Sequence, residues 1–316
     1  MVRARTLALL PLVLAAPLLV PPLATAAPRP DAYLLPGEDV FPEGITARGR
    51  TFYVTSTTDG TVFRGDVKDA TPEVFLPGGQ DGRTTAIGVE VNRQGDRLVV
   101  AGGATGQVFV YDTSDGSLVA RYDNGLATTF VNDVAFDREG NAYVTDSFAP
   151  RLYRIPAEHI EQGVTGTQPL PTFVDLSASV TYQPGFNANG IVVTPDGRYA
   201  VVVQSNTGLL FRVDLRAGTV QRIDLGGARV TAGDGLELRG RTLYVVRNAL
   251  ERIAEVRLSG DLTSGRVVGE ITDPSFAFPT TAAIAAGRLL VVNSQFDQRR
   301  PGGDPVAFTV SSVKKP

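Results

Sequence analysis

The chain has 316 residues with 34 Gly, 21 Pro, one His, no Cys and no Trp, and a formal charge of −3. Without cysteine there is no disulfide framework and no Cys–His nucleophile, and one histidine cannot build a multi-His redox metal site. A slightly acidic chain with no basic run longer than a pair, such as Lys314-Lys315, offers nucleic acid nothing, and its length suits one large domain or two ordinary ones.

Residues 1–26 read as a signal peptide. Arg3 and Arg5 form a basic start, and Leu7 to Val20 is apolar but short and broken by proline for a membrane span. Ala24-Thr25-Ala26 is an A-x-A cleavage site, and the absence of cysteine excludes a lipobox anchor. The expected mature chain is residues 27–316, secreted, or periplasmic where an outer membrane exists. It should have no membrane association after cleavage.

From there a strand-like segment begins at nearly constant spacing. The starts are Glu43-Gly44-Ile45, Ile87-Gly88-Val89, Asn132-Asp133-Val134, Asn189-Gly190-Ile191, Asp234-Gly235-Leu236 and Thr281-Ala282-Ala283, separated by 44, 45, 57, 45 and 47 residues. Repeats of about 40–50 residues made of short strands predict propeller blades of four strands each. In the second blade the strands read Ile87–Val91, Arg97–Ala101, Gln107–Asp112 and Ser117–Tyr122, rich in Val, Phe and Tyr and punctuated by turn residues. The interval of 57 residues holds an insertion, mostly 156–171, between the third and fourth strands of its blade. It should lie on the face opposite the strand-one starts, with one helical turn at Glu158-His159-Ile160-Glu161. The sixth blade runs out of chain after three strands. Ala32-Tyr33-Leu34-Leu35-Pro36-Gly37 matches the last strand of the first blade, Glu73-Val74-Phe75-Leu76-Pro77-Gly78. An N-terminal strand, Ala32–Leu35, is therefore predicted to complete the last blade, closing one six-bladed all-β propeller over residues 27–316 and removing its two open edges.

The first strand of each blade lines the central channel, so equivalent positions on it converge. These positions carry Glu43, Asn132, Asn189 and Asp234, with Ile87 and Thr281 at the other two. Each dipeptide alone is a common turn. The shared phase makes the difference: two carboxylates and two amide oxygens around one axis are the inventory of a hard divalent-cation site. Ca²⁺ suits it best, and the set also admits Mg²⁺, Mn²⁺ or Zn²⁺. Other chemistries fail on inventory. A Ser–His–Asp triad would need His159, remote from the channel mouth, and neither a Walker loop nor a dinucleotide fingerprint is present. Acid–base work would fall to carboxylates or to water on a metal.

Pro42-Glu43-Gly44, Asn132-Asp133 followed by Asp137 and Gly140-Asn141, Asn189-Gly190 followed by Pro195-Asp196-Gly197, and Asp234-Gly235 form an ordered set. With it the chain, over about residues 32–313, resembles the gluconolactonase and regucalcin (senescence marker protein) family of six-bladed propellers. The resemblance implies that Glu43, Asn189 and Asp234 bind one divalent cation. It also implies that Asn132 contacts substrate or water on the metal, and that Asp234 is the general base that opens a lactone. One position departs from the family. Lactonases of this kind often carry an arginine two residues before the first Asn, where it meets substrate hydroxyls. Here the residue is Phe130, which fits a more apolar lactone or ester as well as it fits a sugar lactone. The secretion signal also differs from the cytosolic members.

The reading is a secreted, monomeric, metal-dependent hydrolase of a small lactone or related ester. A non-catalytic propeller binding a ligand or protein at the channel mouth shares the fold, as does a strictosidine-synthase-like lyase or synthase. The full Glu/Asn/Asn/Asp set favours the hydrolase.

Overall fold

The computed structural model describes residues 1–2 and 29–315. Beyond its first two residues, the targeting segment read at 1–26 falls outside that set. The fold is an all-β, six-bladed β-propeller. Five sheets have four strands, and the sheet of the second blade has five. Each blade is a meander of antiparallel strands, from an inner strand beside the axis to an outer strand at the rim. The inner strands are Pro42–Arg48, Val89–Val91, Val131–Phe136, Ala188–Val193, Gly233–Arg239 and Pro279–Ala285.

The sixth sheet has the order Ala32–Leu34, Thr309–Lys314, Arg288–Asn293, Pro279–Ala285. Ala32 faces Ser311 and Leu34 faces Thr309 in antiparallel register. The N-terminal strand thus supplies the rim of the blade that holds the C-terminal strand, one residue shorter than the sequence suggests. Tyr33, fully buried, packs edge-on against Phe52 and donates its hydroxyl to the Val67 carbonyl at 2.9 Å, tying that rim to the first blade.

Packing follows the blade boundaries. Alternating Val, Ile, Leu and aromatic side chains on each sheet face interdigitate with the next sheet. The buried residues fall into clusters that each span neighbouring blades, such as Val99, Val110 and Tyr122 with Val144, Tyr153 and Ile155. The 156–171 insertion forms a helix over Ala157–Gln162 and a strand over Thr167–Pro169. That strand runs parallel to Leu118–Asp123 and is the fifth strand of the second blade. The insertion is therefore more than a loop: it covers an edge of the neighbouring blade. His159 lies in this helix, its Nδ1 3.1 Å from the Tyr122 hydroxyl.

Candidate functional site

Five inner strands carry a β-bulge at the same place. Pairing steps from Pro42↔Ser56 to Ile45↔Val54, so that Glu43 and Gly44 together oppose Thr55. The same irregularity sets Asn132-Asp133 against Thr145, Asn189-Gly190 against Val203, and Asp234-Gly235 against Val246. The bulge turns the first residue of each pair toward the axis and brings the second against the adjacent inner strand. A Cβ on Gly190 would stand 2.2 Å from the Asp234 carbonyl oxygen, and one on Gly44 2.4 Å from that of Ile87. These glycines therefore serve close approach at mid-strand, and the dipeptides are not turns.

In the sixth blade pairing steps from Pro279↔Asn293 to Ala282↔Val291. The residue in phase with Glu43 and Asp234 is then Thr280, not Thr281 as the spacing suggests. Two adjacent threonines without a marker glycine leave the register ambiguous in sequence. Thr280 donates its hydroxyl to the Glu43 carbonyl at 2.7 Å.

Glu43, Asn132, Asn189 and Asp234 are all buried. Each of the last three is held by a residue just after the second strand of its own blade. Asn132 Nδ2 donates to Ser147 Oγ at 2.9 Å, and that hydroxyl gives its only proton to the Ala188 carbonyl at 2.8 Å. Asn189 Nδ2 donates to Ser205 Oγ at 3.0 Å, and Ser205 in turn donates to the Gly233 carbonyl. A hydroxyl that has spent its proton can only accept, so the serines fix both amides with nitrogen outward. Asn132 Oδ1 is left buried with no hydrogen-bond partner. Asn248 Nδ2 donates to Asp234 Oδ2 at 2.8 Å in the corresponding place.

Burial pushes the Glu43 carboxyl well above its ordinary range, and the charges of Asp234 and Asp133 push it further. Burial raises Asp234 as well, opposed by hydrogen bonds from Asn248 and Asn189, while the Asp133 charge adds to the rise. Asp234 is thus near enough for its charge to bear on Glu43, and Asn189 near enough to act on Asp234. Among the described residues neither carboxylate has an Arg or Lys partner, and no group of three or more His, Cys, Asp or Glu side chains is arranged as a metal cluster. A cation held by these four residues would be coordinated half by carboxylates and half by amides.

Sequence reasoning did not single out Asp133. It occupies the bulge position that is glycine in the first, fourth and fifth blades and threonine in the sixth. Its Oδ1 accepts from Val134 N at 2.9 Å and its Oδ2 from Ile191 N at 3.0 Å. Burial pushes its carboxyl up to about 6 against these two bonds. Below this layer the inner strands line a cavity of about 230 Å³ whose lining includes Glu90, Asp133 and Glu237. Ser147, Ser205 and Asn248 were also missed, because they lie in loops whose relation to the axis appears only on folding. Phe130 sits two residues before Asn132 on the mouth face, in contact with Phe148 and Phe186. His159 is bonded to Tyr122 in the insertion and has no part in this layer.

A family model described as a β-propeller repeat, SBBP, matches residues 124–145. No curated protein matches the chain. Among solved structures, the major allergen Mala s 1 of Malassezia sympodialis is similar at 17% identity and a TM-score of 0.68, over 90% of this chain and 96% of that one. A protein from Lactobacillus plantarum is similar at 15% identity and a TM-score of 0.58, covering 86% and 85% of the two chains. A streptogramin B lyase is similar at 12% identity and a TM-score of 0.60, covering 90% and 86%. At these identities the likeness is one of fold, that of a β-propeller.

Proposed function

We propose that the chain is a divalent-cation-dependent hydrolase of a lactone or related ester, acting at the mouth of the channel. The observation that carries this reading is the Asn132 amide. Its nitrogen is locked by Ser147 and its carbonyl oxygen is buried without a partner. Leaving such an acceptor unpaired costs about 1–3 kcal/mol, a cost that a ligand donor or a cation would offset.

The donor set fits a hard cation. Glu43, Asn189 and Asp234 would hold it, with Asn132 alongside meeting substrate or bound water, and Ca²⁺ suits the mixture of carboxylate and amide oxygens best. When bound, such an ion supplies Lewis-acid polarisation of the ester carbonyl. The rest of the chemistry belongs to the chain. Asp234, oriented by Asn248 through one oxygen, takes a proton from the attacking water with the other. Water's oxygen adds to the acyl carbon, the acyl–oxygen bond breaks, and the departing alkoxide receives the proton. Glu43 sets the charge of the layer, and the serine-locked amides keep their oxygens aimed without reorganisation. The basic and apolar N-terminal run supports export of the protein.

A panel of sugar and aliphatic lactones and aryl esters, assayed in Ca²⁺ and after chelation, tests the reading. Turnover that chelation abolishes and Ca²⁺ restores is the expected result, and His159→Ala should keep it within a few-fold. No metal-dependent turnover across the panel would favour a binding propeller. Product analysis in ¹⁸O-water separates hydrolysis, which labels the acid, from a lyase reaction, which leaves an unlabelled acid and a new double bond.

A further inference from the structure

The mouth face carries a second feature, of which the hydrolase reading uses only Phe130. Phe130, Phe148 and Phe186 meet pairwise, with ring centroids 5.5, 5.1 and 5.2 Å apart. Phe148 is 39% exposed and Phe186 42% exposed, so much of the trio's surface faces solvent. The rings come from the segments that build the candidate site. Phe130 precedes Asn132 by two residues, Phe148 follows the serine that locks Asn132, and Phe186 precedes Asn189 by three.

Two buried polar side chains hold these segments rigid. Asp146, fully buried, accepts backbone N–H bonds at Oδ1 from Phe130, Phe148 and Ala149 at 2.9, 3.0 and 2.8 Å. Its Oδ2 accepts from Thr129, Tyr153 and Asn124. Asn187, also buried, donates to the carbonyls of Ser147, Gln183 and Gly185 and accepts from Gln183 N, closing the loop that presents Phe186. Exposed phenyl rings gain nothing in water, and here they stand on fully satisfied buried supports. The first blade gives the contrast. Phe41, also two residues before its axial residue, is buried beneath Phe296 and Phe308. On one side of the mouth the aromatic is covered by the protein, and on the other Phe130 is half-buried beside two rings that are themselves exposed.

We propose that Phe130, Phe148 and Phe186 form a subsite for a flat apolar arm of the ligand, an aryl ring above all. The arm lies on the rings while the ligand's polar end reaches the layer of Asn132. The proposal rests on the hydrolase reading for the polar end and narrows its substrates to aryl-bearing esters and lactones. Rings recognise rings through offset and edge-to-face contacts, which a sugar would forgo. A rigid shelf takes such an arm with little ordering cost.

The chain has no Trp, so the fluorescence of 2-naphthol is a readable probe of the shelf. The test compares wild type with Phe148→Ala/Phe186→Ala in 2-naphthol binding, and in kcat/KM for 2-naphthyl acetate against γ-butyrolactone. The double variant should weaken 2-naphthol binding about tenfold or more, and reduce selectivity for the naphthyl ester by a similar factor. Phe148→Leu/Phe186→Leu, which keeps apolar bulk, should give a smaller loss in the same direction and covers the case in which the alanine variant does not fold. Loss of 2-naphthol binding in the variants, with no hydrolysis by wild type, would uphold the shelf and remove the hydrolase. Wild type that does not bind 2-naphthol, or folded variants that bind it equally well, would overturn the shelf whatever the turnover.

Discussion

The two ends of the channel use carboxylates differently. At the mouth, Glu43 and Asp234 share a layer with two amides whose nitrogens are tied back by Ser147 and Ser205, and the Asn132 oxygen is left buried without a partner. Below it, Glu90, Asp133 and Glu237 line a cavity of about 230 Å³ without such amides. Burial pushes Glu90 well above its usual range, with Glu237 and Asp133 adding to the rise, and carries Glu237 up to about 7. The mouth has oriented neutral oxygens beside its charges, as oxygen coordination requires, whereas the lower carboxyls can relieve mutual repulsion by taking protons. Charge alone therefore does not mark a site. The orientation of the neutral oxygens does, and that orientation comes from serines just after the second strand of the same blade.

Paired substitutions break or sharpen the comparison. At the mouth, Asp234→Asn keeps an oxygen but removes the base. It should lower kcat by about 10²-fold or more with metal confirmed bound. In the lower cavity, Glu237→Gln should leave kcat within a few-fold. Equal losses in both variants would make the channel one functional unit.

Ser147→Ala tests the locking of the amide. It frees Asn132 Nδ2 and permits the side chain to rotate, so Ca²⁺ affinity or KM should worsen by about tenfold, alongside a modest fall in melting temperature from the two buried hydrogen bonds lost. A net hydrogen bond is worth about 1 kcal/mol. A drop in stability without any change in affinity or KM would make the serine a purely structural latch.

The smallest effect concerns pH. Glu237 has an ordinary value of 4.5 and a folded value near 7, raised by burial against opposing influences from the Ile284 backbone N–H, Arg239 and Lys315. Between these values the folded chain holds more protons than the unfolded chain, so stability should fall as pH rises through the window and be flat below it. Glu90 and Asp133 face the same cavity and add to the slope. Urea unfolding of chelator-treated protein from pH 4.5 to 7.5 should show the fall, and Glu237→Gln should reduce it. An identical slope in the variant would place the titration elsewhere.

The sequence made the architecture legible because blade repeats impose a period, and Val-rich strands between Gly, Asn and Asp turns keep it visible. The phase of Glu43, Asn132, Asn189 and Asp234 followed from that period. Register at single-residue precision did not. Thr280 and Thr281 are chemically alike, and only the bulge in the pairing separates them. The glycines after the axial residues looked like turn formers because turns and close approaches call for the same missing Cβ. Asp133 was legible in principle, as the one carboxylate in a column of small residues. Ser147, Asn248, Phe148 and Phe186 were not, since their relation to the axis depends on loops whose course no local pattern encodes.

The central claim is that Glu43, Asn189 and Asp234, with Asn132 alongside, act together on one cation at the mouth. Calorimetric titration of Ca²⁺ into chelator-treated protein, for wild type and for Glu43→Gln, tests it most directly. The account predicts one ion per chain in wild type and binding weakened by about tenfold or more in the variant, which loses one of two charges. Undiminished binding in folded Glu43→Gln, or wild type that takes up no ion, would contradict it.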